Sequence, residues 1–365
     1  MNTPQTPAPG RDLAIDVHAH CFIAEVEALV ADEPGLAELH ALEARRHGAE
    51  SMTVSGQMVR AAMPALTTVE RRLSDMDAAG VDVQVVSPSP SHYHYWAHPD
   101  LATEVCRAAN RGVAAVVAQA PDRLAGFGLV PLQHPDLCVA ALDDALGLGL
   151  KGVEISSFAP GVELSDARLD PFWARAAETA AVVFLHPLGC SLDERLDRFY
   201  LANTVGQPVE NAVALSHLIF AGVLDRHPNL RVIAAHGGGY LPTYLGRSDH
   251  AWQVRSDAQQ CAEAPSAYLR RIWFDSLVYS PQALRALVAA VGADRVVLGS
   301  DHPFDMGVPD PLARLDAAGL DPADRAAIAG GTAQKLGLVP GCSKDEQMGR
   351  SVPGGSTSAL SGRRS

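Results

Sequence analysis

Five side chains with lone pairs stand at the ends of short apolar runs in this 365-residue chain. The first run, Leu13-Ala-Ile-Asp-Val-His-Ala-His20, reads as a buried strand closing on His18 and His20. Two imidazoles two residues apart leave an extended backbone on the same side, so both can reach one ion. A single His-x-His is more often a pair of inert loop histidines than a metal site. Here the pattern recurs: a strand over 181–185 runs into His186, one over 230–235 into His236, and one over 295–300 into Asp301. Imidazole nitrogens with one carboxylate suit a borderline-soft divalent ion such as Zn²⁺, with Mn²⁺ as the alternative. His18, His20, His186 and Asp301 are expected to hold that ion, leaving a position open for water or a substrate oxygen. His236 is the expected acid–base, since imidazole titrates near neutral pH. A role for His236 as a further ligand stays open. Gly237, Gly238 and Gly239 after it allow a tight turn and close backbone approach, or simply a flexible loop.

The elements that must position these residues alternate along the chain. Strands are expected over 13–20, 81–87, 124–130, 151–156, 181–185, 230–235, 271–275 and 295–300, with helices between them. That alternation predicts an α/β fold, a (β/α)8 TIM-type barrel over 13–340. In such a barrel the C-terminal strand ends converge on one mouth, where the five residues would meet. A doubly wound sheet is the competing architecture, but no G-x-G-x-x-G follows a strand. Residues 24–66 show no firm period and read as helices and loops inserted after the first strand, over the mouth. Residues 341–365 are polar and rich in Gly and Ser, and are expected to form a loose tail.

Composition narrows the function. The net charge of −13 argues against a nucleic-acid surface, and no run of 18 uncharged apolar residues suits a membrane. The six cysteines lack C-x-x-C spacing and are expected to be reduced. The start of the chain has no apolar signal core, so a cytoplasmic enzyme is expected. Arg60 and Arg247 are candidates for holding a substrate carboxylate through paired hydrogen bonds. Tyr93, Tyr95 and Trp96 could wall a flat, conjugated substrate, although Trp96 packed on the rim is an equal reading. His92, His94, His98 and His302 are expected to be structural, and His217 to be a satisfied buried histidine. Lys151 begins its strand and so faces away from the mouth, which favours a mononuclear site.

With these residues in view, the chain resembles the amidohydrolase superfamily, and within it the branch of 2-amino-3-carboxymuconate-6-semialdehyde decarboxylase and related aromatic-acid decarboxylases. The resemblance rests on IDVHAH, YWAHPD at 95–100, GFGLVPLQ at 126–133, FLHP at 184–187, AGVLDRHPNLRV at 221–232, AHGGGYLPTYLGR at 235–247 and VVLGSDHPF at 296–304. It implies one divalent metal, usually zinc, on His18, His20, His186 and Asp301, with His236 as the catalytic histidine. It also implies that Arg247 reaches the neighbouring subunit's site in a homodimer, and that Arg60 is a second substrate-binding arginine. The expected reaction is non-oxidative decarboxylation of a conjugated or aromatic carboxylic acid. Hydrolysis of a carbon–carbon or lactone bond by the same site is the alternative enzyme, and a metal-binding scaffold without turnover the alternative class. Carbon dioxide released from one acid separates the first from fragments carrying added water.

Overall fold

The computed structural model describes residues 12–340. The lead-in at 1–11 and the expected tail at 341–365 lie outside the described residues. Parallel strands form two sheets. One joins Ile15–Cys21, Val83–Pro88 and Leu124–Gly126 in that order. The other runs Val296–Val297, Trp273–Asp275, Arg231–Ala234, Val182–Leu185, Gly152–Ile155 and Gly128–Leu129. Helices lie between successive strands, so both faces of each strand are covered and its run of Val, Ile and Leu is buried throughout. Hydrogen bonds from Val17 N–H to the Leu298 carbonyl (2.9 Å) and from Asp301 N–H to the His18 carbonyl (2.8 Å) tie the eighth strand to the first.

Two apolar clusters divide the core. An inner one collects Ile15, Val83, Phe127, Phe184, Ile233 and Val297 from six different strands. An outer one lies between the strands and the helices, and contains Val153, Leu185, Val232, Phe274 and Leu298. The first strand serves the inner cluster in an unusual way. Its pairing register with Val83–Pro88 shifts between Asp16 and Ala19. Such a bulge re-aims side chains. Val17 therefore belongs to the inner cluster with Phe184, while the next residue, His18, also reaches Phe184, with ring centroids 5.0 Å apart.

The helices follow the punctuation in the sequence. Val69–Ala79 stops at Gly80, which takes the left-handed conformation (φ 70°). Pro281–Val291 starts at Ser280, whose Oγ accepts from Ala283 N–H. The insertion after the first strand is more regular than expected: it is three helices, Ala24–Val30, Pro34–His47 and Ala49–Thr67. The third strand breaks at Phe127. The helix after the fifth strand, Gln207–Phe220, ends at Ala221, and Gly222 (φ 65°) turns the chain into a second short helix, Val223–Arg226. Cys21, Cys106, Cys138, Cys190 and Cys261 are free and buried.

Candidate metal centre

The ends of the first, fifth, sixth and eighth strands meet at one point. One ligand atom from each of His18, His20, His186 and Asp301 lies within 4.8 Å of the other three, and all four residues are buried. Asp301 Oδ1 is 3.3 Å from both His18 Nε2 and His20 Nε2. These three atoms and both His186 ring nitrogens are buried without a hydrogen-bond partner. Orphaned polar atoms cost free energy in an interior. A divalent cation would satisfy four of these five atoms, one from each residue including a single His186 nitrogen, and the three-nitrogen, one-oxygen donor set is suited to one.

The surroundings set which lone pairs face inward. His18 Nδ1 lies 2.6 Å from Asp275 Oδ2. Burial raises the pKa of Asp275, but His18 outweighs it and holds the carboxyl below its usual range. An ionised carboxylate only accepts, so Nδ1 carries the proton and Nε2 keeps its lone pair for the cluster. The same logic fixes His20, whose Nδ1 lies 3.2 Å from the Pro88 carbonyl. Burial pushes His186 well below the usual imidazole range, and His20 and His18 add to that, so it is a neutral ligand. Burial works against ionised Asp301, yet the surrounding histidines outweigh it and hold the carboxyl well below its usual range. His18 itself is pushed down by burial, but Asp301 and Asp275 outweigh that and raise it to about 10, so ion binding displaces a proton there.

His236 stands beside the cluster. Its ring centroid is 5.0 Å from that of His186 and 5.2 Å from that of His18. Its Nε2 is 3.9 Å from Asp301 Oδ2, too far for a hydrogen bond, and Nδ1 has no partner. His236 (φ 54°) and Asp301 (φ 59°) both occupy the left-handed region, which non-glycine residues avoid unless their surroundings hold them. The glycines after His236 are required by packing. A Cβ on Gly239 (φ 65°) would collide with the Pro208 carbonyl, and Gly237 N–H donates to Asp275 Oδ1 at 2.8 Å.

Several supporting residues escaped the sequence reading. Asp275 closes the seventh strand, where it pairs with Val297 of the eighth. Glu154 is the buried carboxylate of the fourth strand. Its Oε2 is 3.6 Å from His20 Nδ1, and its Oε1 accepts from Tyr93 Oη at 2.7 Å. The available signal was a lone carboxylate within each apolar run. Asp16 accepts from His18 N–H (3.1 Å), Gln84 Nε2 (2.9 Å) and Ser300 Oγ (2.6 Å). Buried Arg72 donates to Gln84 Oε1 at 2.6 Å and to the His20 carbonyl, completing a polar seam behind the ligands.

A cavity of about 350 Å³ opens on His186 and Asp301. Phe22, Leu39, Met58, Leu66 and Phe304 supply apolar wall, interrupted by Glu27, Glu43 and Asp305, and no arginine is among its described lining residues. Arg60, on Ala49–Thr67, and Arg247, on Gly246–Val254, are both exposed and are not brought to the cluster. Trp96 is half-buried on the rim, packed over Gly35 and edge-on to His94, and does not line the cavity. Tyr93 and Tyr95 stack on each other and bond to the strands, Tyr93 to Glu154 and Tyr95 to Ser156, so neither is a substrate wall. His302 is held by Asp75 at 3.2 Å. His217 is not the buried histidine expected: its side chain is 36% exposed and pairs with Ser165 Oγ at 2.8 Å.

Against known proteins, the profile described as amidohydrolase matches residues 15–336. The chain is 32% identical over 343 residues to 2-amino-3-carboxymuconate-6-semialdehyde decarboxylase of Dictyostelium discoideum, covering 90% of this chain and 93% of that protein. It is 28% identical to gamma-resorcylate decarboxylase of Rhodococcus jostii (strain RHA1), covering 70% and 83%. Among solved structures it superposes on dihydroxybenzoic acid decarboxylase of Polaromonas sp. JS666, which has bound manganese and the inhibitor 2-nitroresorcinol. The TM-score is 0.77 at 24% identity, over 89% of this chain and 97% of that one.

Proposed function

The chain belongs to the amidohydrolase family, and from that premise we propose that it is a metal-dependent, non-oxidative decarboxylase of a conjugated or aromatic carboxylic acid. The observation that carries this reading is the buried His18–His20–His186–Asp301 cluster, in a chain similar to two decarboxylases of that substrate type. Those four residues would hold a divalent ion. When bound, such an ion supplies a Lewis acid that stabilises charge on a substrate oxygen beside the departing carboxylate.

The chain's own residues do the rest. His236, unligated beside the cluster, delivers a proton to the carbon that loses CO2. The electron pair of the broken carbon–carbon bond enters the substrate's conjugated system and is quenched by that proton. Asp275 and the Pro88 carbonyl hold His18 and His20 in the ligating tautomers. The apolar parts of the cavity wall, Phe22, Leu39, Met58, Leu66 and Phe304, would pack against a flat ring.

Finer assignments belong to the same proposal. Zinc is the ion the donor set favours, and manganese, bound in the Polaromonas structure, is its competitor. The two sheets and their cross-strand hydrogen bonds would close as one (β/α)8 barrel. No guanidinium to grip a carboxylate is among the described residues of the cavity lining, which supports a homodimer in which the exposed Arg247 enters the neighbouring site. Arg60 would act there only by a movement of its helix. No helix among the described residues is long and apolar enough to cross a membrane, in keeping with a cytoplasmic location.

The test is His236→Ala, assayed for CO2 release from aromatic and muconate-type acids together with metal analysis. Metal content should stay near that of the unaltered protein while turnover falls about 10²–10⁴-fold. Loss of metal would make His236 a ligand, and products carrying added water would make the enzyme a hydrolase.

A further inference from the structure

The opposite, N-terminal ends of the strands carry a second convergence of charge, of the other sign. Arg231 opens the sixth strand, Arg270 and Arg271 precede the seventh, and Arg295 precedes the eighth. Trp273 pairs with Ile233 and Phe274 with Val296, which sets Arg231 level with Arg271 and Arg295 level with Trp273 on neighbouring strands. All four arginines line one cavity of about 470 Å³, with Trp273 and Asn229 beside them and no carboxylate among the described lining residues. In a chain of net charge −13 this is not a consequence of overall composition.

The arginines are incompletely neutralised. Arg271 has Asp225, at 3.1 Å. Arg270 and Arg295 share Asp294, at 3.7 and 3.8 Å, beyond hydrogen-bond reach. Among the described residues, Arg231 bonds only to the carbonyls of Ala180 and Leu336, both at 3.3 Å. A guanidinium does not shed its proton, so like charges around one cavity persist until an anion meets them. Arg295 is also pre-positioned, with its guanidinium 4.7 Å from the centroid of the Trp273 ring.

We propose that this cavity binds a small polyanion, a phosphate or polycarboxylate gripped by Arg231, Arg270, Arg271 and Arg295. The site is separate from the metal centre, which lies at the other ends of the same strands.

Titration calorimetry of the full-length, metal-loaded protein tests it, with inorganic phosphate in one arm and tricarballylate in the other, at constant ionic strength. At least one should bind, and Arg231→Gln combined with Arg295→Gln should weaken it tenfold or more. Either anion could also reach the metal, so the reading is the difference between the unaltered protein and the variant. Equal affinity in the two, or no binding of either anion beyond that of chloride, overturns the proposal. Should the paired variant fail to fold, Arg270→Gln decides. That side chain is 64% exposed, and its loss should weaken binding threefold or more. Unchanged affinity there overturns the proposal as well.

Discussion

The floor of the substrate cavity and its wall come from different parts of the chain and are held in different ways. The floor is made of strand ends. His18 and His20 are 0% exposed, and each has its outer nitrogen fixed by a carboxylate or carbonyl. The wall is made in part of the helices inserted after the first strand, which contribute Leu36, Leu39, Met58 and Leu66. Pro34–His47 buries none of its residues, and Ala49–Thr67 buries only Ser51, Ala65 and Leu66. A fully packed floor tolerates little change, because every ligand is over-determined by its neighbours. A half-exposed wall can change residue by residue without disturbing the ion. A division of labour is therefore expected, with the floor setting the chemistry and the wall the choice of acid.

Substitutions that separate the two regions should show effects of very different size. At the floor, Asp301→Asn and His18→Ala should each lose bound metal and lower turnover by about 10³-fold or more, read by metal analysis and CO2 release. If either variant keeps both, the floor is not the metal site. Next in size, Phe127→Ala should destabilise by about 3–5 kcal/mol in denaturant unfolding. Phe127 is fully buried and stacks at 5.7 Å on Phe184, the ring against His18. Asp275→Asn should weaken metal affinity about 10–100-fold, measured by competition with a chelator, because it frees the His18 tautomer. Smallest should be Leu39→Ala in the wall. It should cost about 0.5 kcal/mol or less, leave metal content unchanged and alter KM more than kcat. A wall variant that loses metal would erase the distinction.

The same division governs what could be read from the sequence. The floor was legible because imidazoles at the ends of Val- and Ile-rich runs have few structural explanations, and several of them together have fewer. The bulge between Asp16 and Ala19 left no mark in the residue pattern, since alternation alone already put His18 and His20 on one side. Asp275 and Glu154 were passed over because one carboxylate in an apolar run gives no hint of its partner until strand order is known. The inserted segment was legible only as helices and loops without bounds because its helices bury so little, and burial is what writes a period into a sequence. Arg231, Arg271 and Arg295 were each visible at a strand start. Their meeting depends on which strands lie side by side, which no local pattern encodes.

The seam joining Asp16 to Ser300 and His18 to Asp301 also has a consequence for synthesis. The first histidine leaves the ribosome some 283 residues ahead of the aspartate that must join it. At 5–20 residues per second this is a wait of roughly 15–60 s. Throughout that interval the nascent first strand has no eighth strand to pair with, and its histidines lack Asp301, the carboxylate of the ligand set. Loading of the metal is therefore an event of the finished chain, and any fragment ending before residue 301 would be born unable to keep it.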